Sequence, residues 1–592
     1  MNSLRLPPGQ LTTHQLSRQA FDELCSGGVT EEFITAVETS QCSGRKLLLR
    51  GLADFCAEHP SAVGPLTSTD SLWDIVAAAE RRDPAVVRDL LTHPTAGVWL
   101  SRILRRLNGK VTDSIPVWSE LGYLHSLVAV MAIRTGVHCH IKLPVVHGVV
   151  TLPTVGYIEL PTVFPTGFVD LRHSTTGFVV STGQAETVTP DSPYFFPVRR
   201  HTTQSRGLRL SVEINDCDPY RELSGPVEPQ RMDAVRVAEW RKLLDEAFDL
   251  LTLWHPDYAY ELSVGLRMVT PLPGDGSIRG ASSSVAIGCV AVSQKPSATL
   301  VAETLVHEFQ HSKLNGLLGL FDLGQRDGLY APWRDDPRPL SGLLHGVLAF
   351  LCVAEFWQVQ RDLLPDQQAG QAHFTFALHR HQVGEAIASL SDEPALTPLG
   401  RRLLESMRTR FALVAQQPVA PDVADAVAKV TDDHRAAWRS RHLRPDPDDV
   451  ARLANAWLAG VPRPITPASR VVADTRPSTR SSRMDLVELR VSAPATFAEV
   501  MAHATLTPGD TAYLAGDYAA ATTMYMAQLR NAPEDTTSWV GLGLSLKARG
   551  LSAAEAILTT PETVIAVSNK VLSVVGTVPD PIELADWVGA GR

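Results

Sequence analysis

His307-Glu308-Phe309-Gln310-His311 puts two imidazoles and a carboxylate into five consecutive residues. On a helix, side chains four apart lie one above the other on the same face. His307 and His311 can therefore aim two nitrogens at one ion, with Glu308 beside them. The flanks support a helix, since residues 297 to 315 contain neither Pro nor Gly. Leu300, Leu305, Phe309, Leu314 and Leu318 supply apolar contacts on more than one side, and a helix apolar most of the way round is buried. Two histidines inside it need partners, because unpaired polar groups there are costly. A metal ion is the simplest partner. The alternative is a pair of core histidines bonded to backbone carbonyls.

Two histidines and one further ligand allow two chemistries. With zinc, the open position holds a water of lowered pKa and Glu308 is the general base of peptide hydrolysis. With ferrous iron, two or three protein ligands leave adjacent positions for a 2-oxoacid and dioxygen. The third ligand is sought downstream. His345 is the single histidine of an apolar helix running from Leu340 to Trp357. Glu355 on the same helix competes, because a thermolysin-like peptidase uses a carboxylate there. Glu303 lies two turns, roughly 12 Å, from His311, so it supports the site rather than ligating. An oxygenase also needs a cation for the distal carboxylate of its 2-oxoacid, and arginine binds carboxylates bidentately. Arg334 and Arg338 are candidates, in a Pro-rich segment just before His345. Their other reading is pairing with Asp335 or Asp336.

These residues need a scaffold. Helical spacings dominate residues 11 to about 135, and alternating β-branched text follows, from His138-Cys-His140 through Leu208-Arg-Leu-Ser-Val212. His138 and His140 share a strand face and read as exposed rather than as a second metal pair. Trp240, Leu243, Leu244, Ala247 and Leu250 mark an amphipathic helix. A turn at Pro273-Gly-Asp-Gly276 and a strand over Ala281–Ser293 lead into the motif helix. Residues 462 to 483, rich in Pro, Ser, Thr and Arg, read as a linker. Beyond it, Gly509, Ala521, Tyr525 and Pro533, then Trp539, Leu542 and Gly543, fall in phase with the ~34-residue tetratricopeptide repeat. The expected fold is α+β and mainly α-helical. The expected segments are an N-terminal helical region (1–135), a strand-rich region (136–235), a helical catalytic core (236–461), the linker (462–483) and a tetratricopeptide-like tail (484–592).

Composition narrows the partners. A chain of 592 residues exceeds one core and implies several domains. Its net charge of −10, without a Lys/Arg block, argues against nucleic acid. Seven scattered cysteines without a CxxC give neither a disulfide framework nor a thiolate zinc site. MNSLRLPPGQ has no secretory core, and no run of 18 apolar residues occurs. A cytoplasmic protein without a membrane span is expected.

Ala302-Glu-Thr-Leu-Val-His307-Glu308-Phe-Gln-His311-Ser-Lys313-Leu, then Pro332-Trp-Arg334-Asp-Asp-Pro-Arg338-Pro-Leu, then Gly342-Leu-Leu-His345-Gly346, resembles the HExxH-motif peptide-modification proteins of ribosomal-peptide biosynthesis. Ser43-Gly-Arg-Lys, Leu152-Pro-Thr-Val-Gly156, Asp218-Pro-Tyr-Arg221 and Ala281-Ser-Ser-Ser fit the same resemblance, which spans roughly residues 10 to 460. The tail lies outside it, and the chain carries no radical SAM CxxxCxxC. The resemblance implies an Fe(II)- and 2-oxoglutarate-dependent β-hydroxylase of a ribosomal precursor peptide. It implies His307, His311 and His345 as iron ligands, with Glu308 supporting a ligand or bound water and Arg334 or Arg338 holding 2-oxoglutarate. The tail is then available to a protein partner. The competing expectation is a zinc metallopeptidase trimming a leader peptide.

Overall fold

The structure is a computed structural model, described for residues 14–160, 166–181, 187–273, 280–472, 474 and 481–590. The expected turn at 274–276, the extreme N-terminus and much of the linker lie outside the described residues. The chain is α+β and mainly helical, with its strands concentrated in the middle. It divides into two compact units, Met1–Phe321 and Asp322–Arg592. That division falls inside the 236–461 segment, directly after the motif helix.

In the first unit, helices including Glu31–Glu58, Pro94–Leu107 and Tyr123–Thr135 share a hydrophobic core with a seven-stranded antiparallel sheet. Its strands are β1 (Cys139–Val146), β2 (Val149–Leu152), β3 (Gly156–Glu159), β4 (Thr166–Ser174), β5 (Gly177–Ser181), β6 (Thr187–Val188) and β7 (Phe195–Pro197), in the order β6-β5-β4-β1-β2-β3-β7. The β1–β2 connection is two residues, His147 and Gly148, both at positive φ (51° and 76°), as a tight hairpin requires.

A second sheet carries the motif. It comprises β8 (Arg199–Ser205), β9 (Leu208–Ile214), β10 (Met268–Leu272), β11 (Gly280–Ala281) and β12 (Cys289–Ser293), in the order β11-β12-β10-β9-β8. The expected strand-rich region therefore feeds two sheets. β9, β10 and β12 run parallel, while β11 forms an antiparallel edge. Every residue of β12 is buried, as expected for a parallel strand covered on both faces. Between β9 and β10 come two helices, Ala234–Trp254 and Pro256–Gly265, and after β12 comes the motif helix, Ala298–Leu318. The expected continuous strand over 281–293 is interrupted, because residues 282–288 turn before β12 begins.

The second unit is built around the apolar Leu340–Gln360 helix, against which Asp366–Leu390 and Pro398–Ala415 pack. Among the described residues it is the one helix long and apolar enough to cross a membrane, yet 72% of its apolar window is buried inside the protein. Helices from Pro508–Leu514 to Pro581–Gly589 close the chain as hairpins. Gly509 lies against the Tyr525 ring and Gly543 against Ile557 and Leu558, so each repeat-phased glycine marks a close helix crossing. Within the expected linker, Ser469–Val471 pairs with Leu443–Pro445, and a helix starts at Ser482.

Candidate metal centre

The motif helix begins where the Ser297 side chain accepts a hydrogen bond from the Leu300 amide, a cap that fixes its start just past β12. Burial then continues around nearly the whole helix. His307 and His311 stand one turn apart with Nε2 atoms 3.2 Å from each other and ring planes at 85°. Two nitrogens each about 2.1 Å from a shared ion, at angles between right and tetrahedral, stand roughly 3.0–3.4 Å apart, so the pair fits two positions of one coordination sphere. Burial lowers the pKa of His311 to about 4, which keeps that ring neutral and its lone pair available.

Glu308 is buried beside the pair, and the Ser282 hydroxyl donates to its Oε2 at 2.7 Å. Desolvation raises its pKa, opposed by that hydrogen bond and by the charge of Lys295. Glu303, one turn earlier, is raised to about 7 by burial, again opposed by Lys295. Lys295 itself lies buried between β12 and the motif helix. Gly280 on the β11 edge makes room here: a Cβ at that position would stand 2.7 Å from Thr304 Cγ2 and 2.8 Å from Glu308 Oε1. On the inner side of the helix, the Lys313 ammonium meets Glu261 Oε1 at 2.7 Å, and the Gln310 amide donates to Glu261 Oε2 at 2.9 Å. Both Lys313 and Glu261 side chains are 1% exposed.

The first unit thus brings His307, Glu308 and His311 together. His345, Glu355, Arg334 and Arg338 belong to the second unit. His345 is half-buried on its helix, next to Gly346, whose missing side chain is replaced by the Trp333 ring. Glu355 is paired with Arg410 through two contacts, 2.5 and 3.1 Å, which weakens its claim as a ligand. Arg334 and Arg338 both bind Asp336, at 3.0 and 3.1 Å. His140 lies on an exposed strand face and pairs with Asp170 at 2.8 Å. Among the described residues, no group of three or more His, Cys, Asp and Glu side chains is placed to hold a metal ion.

Three supporting features escaped the sequence reading. Ser282 sits in a run of three serines, and nothing in the run singles out the first. Lys295 looks like a surface residue between Gln294 and Pro296. Glu261 lies 52 residues before Lys313, so only the fold pairs them. The signal that was available is weak: a Lys and a Gln on the inner side of an otherwise apolar helix call for a buried partner. The chain matches no known family model and no curated protein.

Proposed function

We propose that the protein is a cytoplasmic Fe(II)/2-oxoglutarate-dependent oxygenase that β-hydroxylates a residue of a ribosomally made precursor peptide. The observation that carries the metal centre is the 3.2 Å spacing of the two Nε2 atoms on a buried helix. The choice of iron rests on the motif resemblance, which also offers His345 for a third protein ligand. Bound ferrous iron with 2-oxoglutarate and dioxygen supplies the oxidising power for hydroxylating an unactivated C–H bond. The chain's own residues do the rest. His307 and His311 present two ring nitrogens from one rigid face, and burial keeps the His311 ring neutral. The Ser282 hydroxyl fixes one carboxylate oxygen of Glu308, leaving the other to orient a ligand or a water. The Lys313–Glu261 pair sets the position of the helix that carries them. Arg334 or Arg338 holds the distal carboxylate of 2-oxoglutarate.

The second reading is a zinc peptidase. What favours it is Glu308, a carboxylate beside the histidine pair whose pKa burial raises, the direction a general base needs. One experiment separates the two. The protein is reconstituted anaerobically with Fe(II), then given 2-oxoglutarate, dioxygen and a precursor peptide encoded beside its gene. Succinate together with a mass gain of one oxygen is expected, with metal binding lost in His307→Ala and His311→Ala. Cleavage of the peptide with zinc, abolished by Glu308→Gln, would establish the peptidase instead.

A further inference from the structure

The second unit contains a cavity of about 1440 Å³ whose walls come from the Trp333 segment, the Pro421–His442 helix and the tetratricopeptide-like hairpins. Small-molecule sites occupy roughly 300–1,000 Å³, so this volume suits a longer ligand. Its chemistry is uneven. One part is aromatic: Trp333 lies 5.0 Å from Phe350, and Phe350 stacks on His379 at 4.6 Å and 20°. Burial lowers His379 to about 4, so that stack is uncharged. Most of the charged groups around the rest are matched within the protein, and Arg444 is held by the Ser440 and Leu443 carbonyls. Arg483 binds Asp433 at 2.8 Å and Asp510 at 2.6 Å. Glu562 takes Arg439 at 2.5 Å, and Asp474 takes Arg441 at 3.2 Å. Thr537 and Asn569 also belong to the lining and bring a hydroxyl and an amide group.

A wall whose arginines are mostly engaged by its own carboxylates, with carboxylates in excess, does not attract a polyanion. An aromatic patch, with hydroxyl and amide groups elsewhere in the same lining, suits a chain that has apolar side chains and main-chain N–H and C=O groups to satisfy. We infer that this cleft is a docking site for an extended, near-neutral peptide segment, anchored by one aromatic or large aliphatic side chain against Trp333, Phe350 and His379. The inference rests on the peptide-modifying reading for its biological sense, and it gives that substrate a second point of attachment besides its reacting residue.

The test uses the full chain without iron or 2-oxoglutarate. A displayed library of random 12-residue peptides is selected on it, and two enriched peptides are synthesised with fluorescein for polarisation titrations. Thr537→Trp and Asn569→Trp add bulk to the wall without removing a buried contact. Enriched peptides carrying one aromatic or large aliphatic anchor are expected, with affinity falling about tenfold in each variant at an unchanged melting temperature. Three results would overturn the inference: no enrichment over a bait-free control, affinity untouched by whichever variants fold, or binding confined to an oligouridylate probe. Because no metal is present, loss of the oxygenase reading would leave this result standing. Conversely, an active hydroxylase whose cleft ignores peptides would refute the cleft alone.

Discussion

Asp336 holds two arginines at once, and both contacts lie at a partly exposed site where an ion pair alone is worth little. If Arg338 or Arg334 receives 2-oxoglutarate, Asp336 competes with the cosubstrate for the same guanidinium. Asp336→Ala should then lower the KM for 2-oxoglutarate, by roughly 3- to 10-fold, while Arg338→Ala raises it steeply. Steady-state succinate assays read both, and a KM indifferent to both substitutions would move the cosubstrate elsewhere. Asp218 makes a prediction in pH. It is fully buried, accepts hydrogen bonds from the Tyr220 amide and the Tyr123 hydroxyl, and has its pKa raised from 3.8 to about 6, burial being the largest cause. Between about pH 4 and 6 the native state keeps a proton that the unfolded chain has released, so this group's contribution to stability falls as pH rises through that window, by about 3 kcal/mol in all. Asp218→Asn removes that component. The melting temperature of the variant minus that of the wild type should climb from pH 4.5 to pH 7, and a flat difference would rule the linkage out. At this scale the sequence was legible where chemistry depends on local spacing. That His307, Glu308 and His311 lie together on one helix could be read directly, whereas Ser282 and Lys295, which act on Glu308, sit outside that helix and could not.

The motif helix is held by more than apolar contact. Its Lys313 is buried against Glu261 of the Pro256–Gly265 helix, at 2.7 Å. Breaking such a pair from one side strands a charge and costs about 3–5 kcal/mol. Lys313→Met should lose that much in urea unfolding, and adding Glu261→Gln, which keeps an acceptor for Gln310, should recover most of it. A single variant as stable as the wild type would show that the pair holds nothing. The helix itself was evident from its unbroken run of helix-compatible residues. The break between β11 and β12 was not: Ala281–Ser293 reads as one apolar stretch, and the turn there is set by tertiary contacts such as the Ser282–Glu308 hydrogen bond.

Across the whole chain, the class and the succession of helical, strand-rich and helical text were legible, because hydrophobic period changes visibly at about 136 and again at about 236. The division at Phe321/Asp322 was not, since nothing in composition changes there. The tail announced itself through Gly509, Tyr525 and Trp539, whose crossings recur in the structure. Its attachment to the rest of the second unit did not. Arg483, 1% exposed, joins Asp433 and Asp510 from two other helices and donates to the Tyr525 hydroxyl at 3.0 Å. Arg483→Leu would leave two buried carboxylates without a counter-charge, a loss of about 3–5 kcal/mol. Limited proteolysis should then cut first within 484–592. Cleavage at the wild-type rate would place the tail's anchorage elsewhere.

The space that Gly280 leaves beside Glu308 has a genetic consequence. Any side chain there would press on Thr304 and on the Glu308 carboxylate that the proposed chemistry uses. Every single-base missense change in a glycine codon adds a β-carbon. Position 280 is therefore one where the smallest possible lesion, a single base, brings a side chain against Glu308.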